Sequence, residues 1–140
     1  MSTGNEARKF SILIVDDENS NIMALSHILS PDYKLYAAKN GQSALDAASK
    51  HLPDIILLDI IMPDMDGYEV LSVLKKQNKT RNIPIIFVTG LNSPEDEEKG
   101  MTLGVADYIS KPFSSAIVKL RVLNQKKIII LERLIQEGKE

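Results

Sequence analysis

Three short apolar runs in this chain end in residues that carry ligating or reactive oxygens. Ile12-Leu13-Ile14-Val15 leads into Asp16-Asp17-Glu18, Ile55-Ile56-Leu57-Leu58 into Asp59, and Pro84-Ile85-Ile86-Phe87-Val88 into Thr89-Gly90. A shorter run, Asp107 to Ser110, leads into Lys111-Pro112-Phe113. Carboxylates gathered without a cation repel one another, and hard oxygen donors suit Mg²⁺ (or Mn²⁺), which is commonly held by one or two carboxylates plus a phosphate oxygen. If Asp16, Asp17 and Asp59 share one site, a divalent cation and the Lys111 ammonium balance their three negative charges. A phosphoryl group delivered there meets the metal, Lys111 and the Thr89 hydroxyl, all suited to its equatorial oxygens. The attacking atom is then a carboxylate oxygen and the product an acyl phosphate.

Elements of a particular kind must position these groups. Four branched apolar residues in a row, half of them β-branched and too few for a typical helix, read as a strand buried on both faces. Asp59 then lies at the carboxyl end of its strand, the edge at which open parallel sheets bind ligands. Between the strands, Ile22, Leu25, Ile28 and Leu29 keep helical spacing over Asn19 to Leu29, closed by Pro31. Tyr33 to Ala38 reads as a short strand, and Gly41 to Ser49 as a small-residue helix that lets a sheet approach closely. Pro63 and Asp66-Gly67 make a loop into a helix ending about Lys76, and Ser93-Pro94-Glu95 starts another that stops near Gly104. Strand and helix alternate five times, which calls for an α/β, doubly wound five-stranded parallel sheet with helices on both faces. Strand order 2-1-3-4-5 brings Asp16, Asp17 and Asp59 to one switch point; periodicity alone does not fix that order.

From Ser114 to about Gln136 there is no Gly or Pro, so the fifth helix is predicted to be extended to about 23 residues or roughly 34 Å. Its first half is expected to give Ile117, Leu120 and Val122 to the core. Its second half, with Ile128-Ile129-Ile130-Leu131 and Leu134-Ile135, leaves apolar surface exposed on a monomer. Ile128, Leu131 and Ile135 keep heptad spacing, with Arg121 and Asn124 at the preceding seam positions, which points to a short coiled-coil homodimer. The division expected is a flexible N-terminal tail over 1–10, a domain over 11–123, and a C-terminal extension of the last helix over 124–140.

Of the 140 residues 44% are hydrophobic, enough for a single domain with a sizeable core. A formal net charge of -2 gives no electrostatic case for direct nucleic-acid binding or an anionic membrane. The absence of cysteine excludes disulfides, thiolate metal sites and cysteine nucleophiles, and agrees with a cytoplasmic location. The first nine residues lack the apolar core of a signal peptide, and no apolar run approaches the ~20 residues needed for membrane insertion.

Together these residues resemble the response-regulator receiver domain of two-component signalling, of the chemotaxis-regulator type, over roughly Ser11 to Leu123. The resemblance rests on Asp16-Asp17, on Asp59 followed by Met62-Pro63 and Asp66-Gly67, on Thr89-Gly90 and on Lys111-Pro112-Phe113, in the family's order and at its strand ends. It implies a flavodoxin-like fold in which Asp59 is the phosphoacceptor, while Asp16, Asp17, Asp59 and the Ile61 backbone carbonyl hold the metal. Thr89 and Lys111 bind the phosphoryl group, the Lys111-Pro112 bond is cis, and Tyr108, three residues before the lysine, takes the switch-aromatic position, with Thr89 as the other switch residue. It further implies a sensor histidine kinase or histidine phosphotransfer protein as phosphoryl donor. The chain would be no enzyme beyond catalysing its own phosphorylation and dephosphorylation, and would be the N-terminal part of a longer regulator. Ile61 and Leu91, two places after Asp59 and Thr89, border the family's hydrolytic water path and are bulky, which predicts slow self-dephosphorylation. The long last helix suggests an output domain beyond it, of cyclic-di-GMP type.

Other classes fit less well. Asp64-Met65-Asp66-Gly67 is similar to the nucleophile motif of haloacid-dehalogenase-like phosphatases, but it follows a proline loop and has Tyr68 where Thr is wanted. The twelve-residue calcium-loop pattern is not completed, and neither a Walker A nor a dinucleotide glycine fingerprint is present. Asp16-Asp17 as plain helix caps, or a degenerate receiver serving only as a docking module, account for single residues but not for the set. His27 and His51 receive no role.

Overall fold

The computed structural model describes residues 9–91 and 93–138. Five strands, β1 (Ser11–Val15), β2 (Lys34–Ala38), β3 (Ile55–Leu58), β4 (Ile85–Thr89) and β5 (Asp107–Ser110), alternate with five helices, α1 (Asn19–Leu29), α2 (Gly41–His51), α3 (Gly67–Lys76), α4 (Pro94–Leu103) and α5 (Ser115–Gly138). All strand pairs are parallel and the order is β2-β1-β3-β4-β5, so β1 and β3 are neighbours as the site requires.

The sheet divides the core. Leu13, Val15, Ile56, Leu58 and Phe87 point to a cluster shared with α2, α3 and α4, while Ile12, Ile14, Ile55, Leu57 and Val88 point to one shared with α1 and α5. β3 is the centre: its four side chains are at most 1% exposed, each contributing roughly 1.5–3 kcal/mol of burial. Ala44 and Ala48 on α2 are fully buried, the close approach that their small size allows.

Two expectations shift. Phe10, placed in the expected tail, is engaged with the domain: its carbonyl accepts the Lys34 N–H at 2.9 Å and its ring packs on the α1/α5 side; residues 1–8 of the expected tail lie outside the described residues. The phase of α5 also differs. Ile117 and Leu120 are 41% and 48% exposed, and the buried stripe is Val118, Val122, Gln125 and Ile129. This helix is apolar on nearly every side, so spacing alone admits several stripes, and the sheet selects the one that continues Val122.

The far half of α5 stays on the domain body. Arg133 donates to Asp54 at 2.8 Å and stacks over Phe10 at 5.1 Å, and Lys126 lies over the rings of Phe10 and Tyr33. Ile128, Leu131 and Ile135 remain exposed on the other side. Among the described residues, no helix is long and apolar enough to cross a membrane.

Candidate functional site

Backbone ladders that run one residue past the strands fix the functional side chains. Asp59 N–H donates to the Val15 carbonyl at 2.9 Å, Asp16 N–H to the Ala38 carbonyl at 3.2 Å, and Lys111 N–H to the Thr89 carbonyl at 2.9 Å. Each is thereby held at the carboxyl edge by its strand neighbour. The Lys111-Pro112 peptide bond is cis.

Lys111 Nζ lies 2.9 Å from Asp16 Oδ2 and 3.5 Å from Asp59 Oδ2. Carboxylate oxygens of Asp16, Asp17 and Asp59 all lie within 4.8 Å of one another. Asp16 and Asp59 are 1% and 6% exposed, whereas Asp17 is open to solvent. Asp16 also does the bland work of a turn: its Oδ1 accepts the Glu18 N–H at 2.9 Å and the Asn21 amide at 3.4 Å. Asp59 is held more loosely, by the Ile61 N–H at 3.4 Å on Oδ1 and by Lys111 on Oδ2.

Three carboxylates against one ammonium give a formal -3 + 1 = -2. The donors are all hard oxygens, the set that suits a small divalent cation, so the acidic cluster fits a metal ion. Burial raises the Asp59 pKa above its ordinary value of 3.8, and Asp16 adds to the rise; the Lys111 charge and the Ile61 N–H oppose it without cancelling it. Burial alone would lower the Lys111 pKa, but the hydrogen bond that Lys111 donates to Asp16 and the charges of Asp59 and Asp16 hold it above the ordinary lysine value.

Thr89 is buried, and its Oγ1 accepts the Leu91 N–H at 3.1 Å. A hydroxyl has one donor and two acceptor lone pairs, so this bond leaves the O–H free to donate. Tyr108 is half-buried, edge-on to Phe87 with ring centroids 5.5 Å apart, and its hydroxyl donates to the Asp96 carbonyl at 2.8 Å. Burial first, then the nearby Tyr68, Glu97 and Asp96, pushes its pKa up to about 12. Gly100 makes the seat: a Cβ there would collide with Tyr108 Oη.

Sequence reasoning missed Tyr68. Its ring packs edge-on to Phe87 at 5.5 Å, Lys99 lies 4.1 Å from its centroid, and its buried hydroxyl has no hydrogen-bond partner among the described residues. Tyr68, Phe87 and Tyr108 thus form a run of three rings; an aromatic just after Asp66-Gly67 was the available signal. His51 stacks on Tyr36 at 4.0 Å and His27 is exposed, and neither enters the site.

An open sheet of this order with an acidic pocket at its carboxyl edge defines a flavodoxin-like receiver fold. Residues 12–122 match the response regulator receiver domain family, and the chain belongs to it. The chain is 46% identical over 112 residues to a probable cyclic di-GMP phosphodiesterase of Vibrio cholerae, covering 80% of this chain and 25% of that protein. It is 38% identical over 124 residues to the response regulator PleD of Caulobacter vibrioides, covering 86% and 27%. The crystallised chemotaxis response regulator CheY4 of Vibrio cholerae superposes with a TM-score of 0.80 at 29% identity, covering 84% of this chain and 99% of that one. The chain spans about a quarter of the length of these curated relatives.

Proposed function

We propose that Asp59 is the phosphoacceptor of this receiver domain and that a histidine kinase or histidine phosphotransfer protein is its donor. The observation that carries this reading is Lys111 Nζ spanning Asp16 and Asp59 at 2.9 Å and 3.5 Å within the three-carboxylate cluster. An Asp59 oxygen forms the new O–P bond as the P–N bond of a phosphohistidine breaks; the imidazole leaves with the electron pair and recovers its proton from solvent. Lys111, pulled from Asp59, and the free O–H of Thr89 bind the phosphoryl oxygens. Mg²⁺ or Mn²⁺, held by Asp16, Asp17, Asp59 and the Ile61 carbonyl, supplies further positive charge to those oxygens when bound. Phosphorylation then draws Thr89 toward the phosphoryl group and biases Tyr108 on its seat against Gly100, changing the α4-β5-α5 surface.

Acetyl phosphate with Mg²⁺ tests the acceptor, read as an 80 Da mass gain that Asp59→Asn removes, roughly the mass of one phosphoryl group by its chemistry. Binding of beryllofluoride separates a working receiver from a docking-only one. Ile61, 61% exposed, and Leu91 each lie two residues after a site residue, Asp59 and Thr89, and their bulk supports slow hydrolysis. The expected phosphoryl half-life with Mg²⁺ alone is minutes or longer, and loss within seconds would defeat this.

For the whole protein we infer a cytoplasmic regulator with an output of the cyclic-di-GMP class, supported by the 46% identity to the Vibrio cholerae protein of that description. Ile at two seam positions and Leu at the third, 46%, 61% and 59% exposed, favour a parallel two-stranded dimer of α5. Sedimentation at high protein concentration should show self-association; a monomer with and without beryllofluoride removes the dimer.

A further inference from the structure

The loop from Asp59 to Gly67 must hold the Ile61 carbonyl steady if it is to serve a metal, yet it is a surface loop with few bonds of its own. At its base Gly67 N–H donates to the Ile60 carbonyl at 2.7 Å. That turn is so tight that a Cβ on Gly67 would meet the Asp59 carbonyl oxygen at 2.6 Å. Met62 is buried in the core, and beyond it the chain crosses to a different element. Asp64 Oδ1 accepts the Gly41 N–H at 3.0 Å and Asp64 Oδ2 the Gln42 N–H at 3.2 Å, both in the first turn of α2. These are the only hydrogen bonds, among the described residues, that tie residues 60–66 to an element other than α3 and Asp59.

The receiving end is built for this contact. Asn40 Oδ1 accepts the third amide of α2, from Ser43, at 2.8 Å, so Asn40 and Asp64 together satisfy the first three amides of the helix. A carboxylate there also meets the positive end of the helix dipole. Met65 presses on Gly41 closely enough that a Cβ on Gly41 would lie 2.6 Å from Met65 Cβ. The loop tip is therefore pinned by two charge-assisted hydrogen bonds and a side-chain wedge that needs glycine opposite it.

The geometry points to Asp64 as a positioning residue: by clamping the loop tip to α2 it sets the backbone between Asp59 and Gly67, and with it the site's affinity for Mg²⁺. This deepens the phosphoacceptor reading above and rests on Ile61 as a backbone metal ligand. Partners one step removed from a metal commonly change its affinity about 10- to 100-fold, and an exposed clamp belongs at the lower end.

The test is direct Mg²⁺ calorimetry on the purified chain without any phosphoryl donor. It is paired with nuclear magnetic resonance of the Gly41 and Gln42 amides, and circular dichroism checks the fold. Asp64→Ala is expected to weaken Mg²⁺ binding about 10-fold, to shift both amide signals and to speed their exchange. Asp64→Asn, which keeps one acceptor oxygen, should recover part of the loss, and Gly41→Ala, which displaces Met65, should move affinity in the same direction as Asp64→Ala. Unchanged Mg²⁺ affinity in a folded Asp64→Ala chain overturns the clamp, as does weakened affinity with unmoved Gly41 and Gln42 amides. Phosphoryl uptake by Asp59→Asn, measured separately, would sink the acceptor reading while leaving the calorimetric comparison to judge Asp64.

Discussion

A carboxylate is paired with a cation at each end of the sheet, and the two pairs are built differently. At the amino end, Asp54 accepts the Ser11 N–H at 2.8 Å and Arg133 at 2.8 Å, and its own N–H donates to the Ser11 carbonyl at 2.9 Å. One negative charge meets one positive charge, and its oxygens are engaged by short bonds. At the carboxyl end three carboxylates share one lysine, and among the described residues the Asp59 carboxylate has only contacts of 3.4 Å and 3.5 Å with donors. The satisfied pair fastens a helix to the sheet. The three-carboxylate cluster keeps acceptor capacity in reserve, the donor set that fits a cation.

The largest expected break of this contrast is Asp59→Asn, which should abolish phosphoryl uptake yet raise the melting temperature. Because burial raises the Asp59 pKa, the folded state holds that proton more tightly than the unfolded chain does. The stability it contributes is full below the ordinary 3.8 and is lost as pH rises through the raised value, so thermal melts across that window should decline in the parent and flatten in Asp59→Asn. The opposite end should behave oppositely. Asp54→Ala strands the Ser11 N–H and is expected to cost about 1–3 kcal/mol in urea unfolding, with phosphoryl uptake intact. Tyr68→Phe removes the buried hydroxyl that lacks a partner among the described residues, and should gain roughly 1 kcal/mol in the same measurement. Smallest is Arg133→Ala: its side chain is 57% exposed, so the loss should stay within about 1 kcal/mol. An Arg133→Ala loss equal to that of Asp54→Ala would mean that the ion pair, and not the Ser11 bond, carries the amino end.

Asp64 titrates with the opposite sign to Asp59. The Gly41 N–H, opposed by a slight loss of hydration and helped by the Gln42 N–H, holds its carboxyl below the usual carboxylate value. Its contribution is present above the unfolded value and fades as pH falls through the lowered one. Two carboxylates five residues apart thus report opposite local conditions, one short of donors and one supplied with them.

The strand runs and the acids that close them were readable because burial on both faces leaves an unbroken apolar run, and a charge after such a run stands out. The strand order, assumed from topology, puts Asp16 and Asp59 on adjacent strands as expected. What escaped the sequence depends on three-dimensional neighbours 20 or more residues apart. Asp64 reads locally as one turn residue among several, and only the fold sets it on the amides of α2. Asp54 looks like a strand-entry residue until α5 brings Arg133 back over it. The phase of α5 was misread for a related reason: Val118 and Ile117 are equally apolar, and which one is buried is decided by where the sheet lies.

β5 is an edge strand, paired only with β4. Its adjacent residues face opposite sides, Tyr108 against Phe87 on the α2-α3-α4 side and Ile109 in the cluster with Val118 and Val122 of α5. Besides its one ladder, the strand is held by the Tyr108 hydroxyl on the Asp96 carbonyl at 2.8 Å and by the packing of Ile109 under α5. Neighbouring residues of one edge strand thus touch the aromatic run on one face of the sheet and the long helix on the other, and Asp107 beside them meets Arg121 of that helix at 3.8 Å.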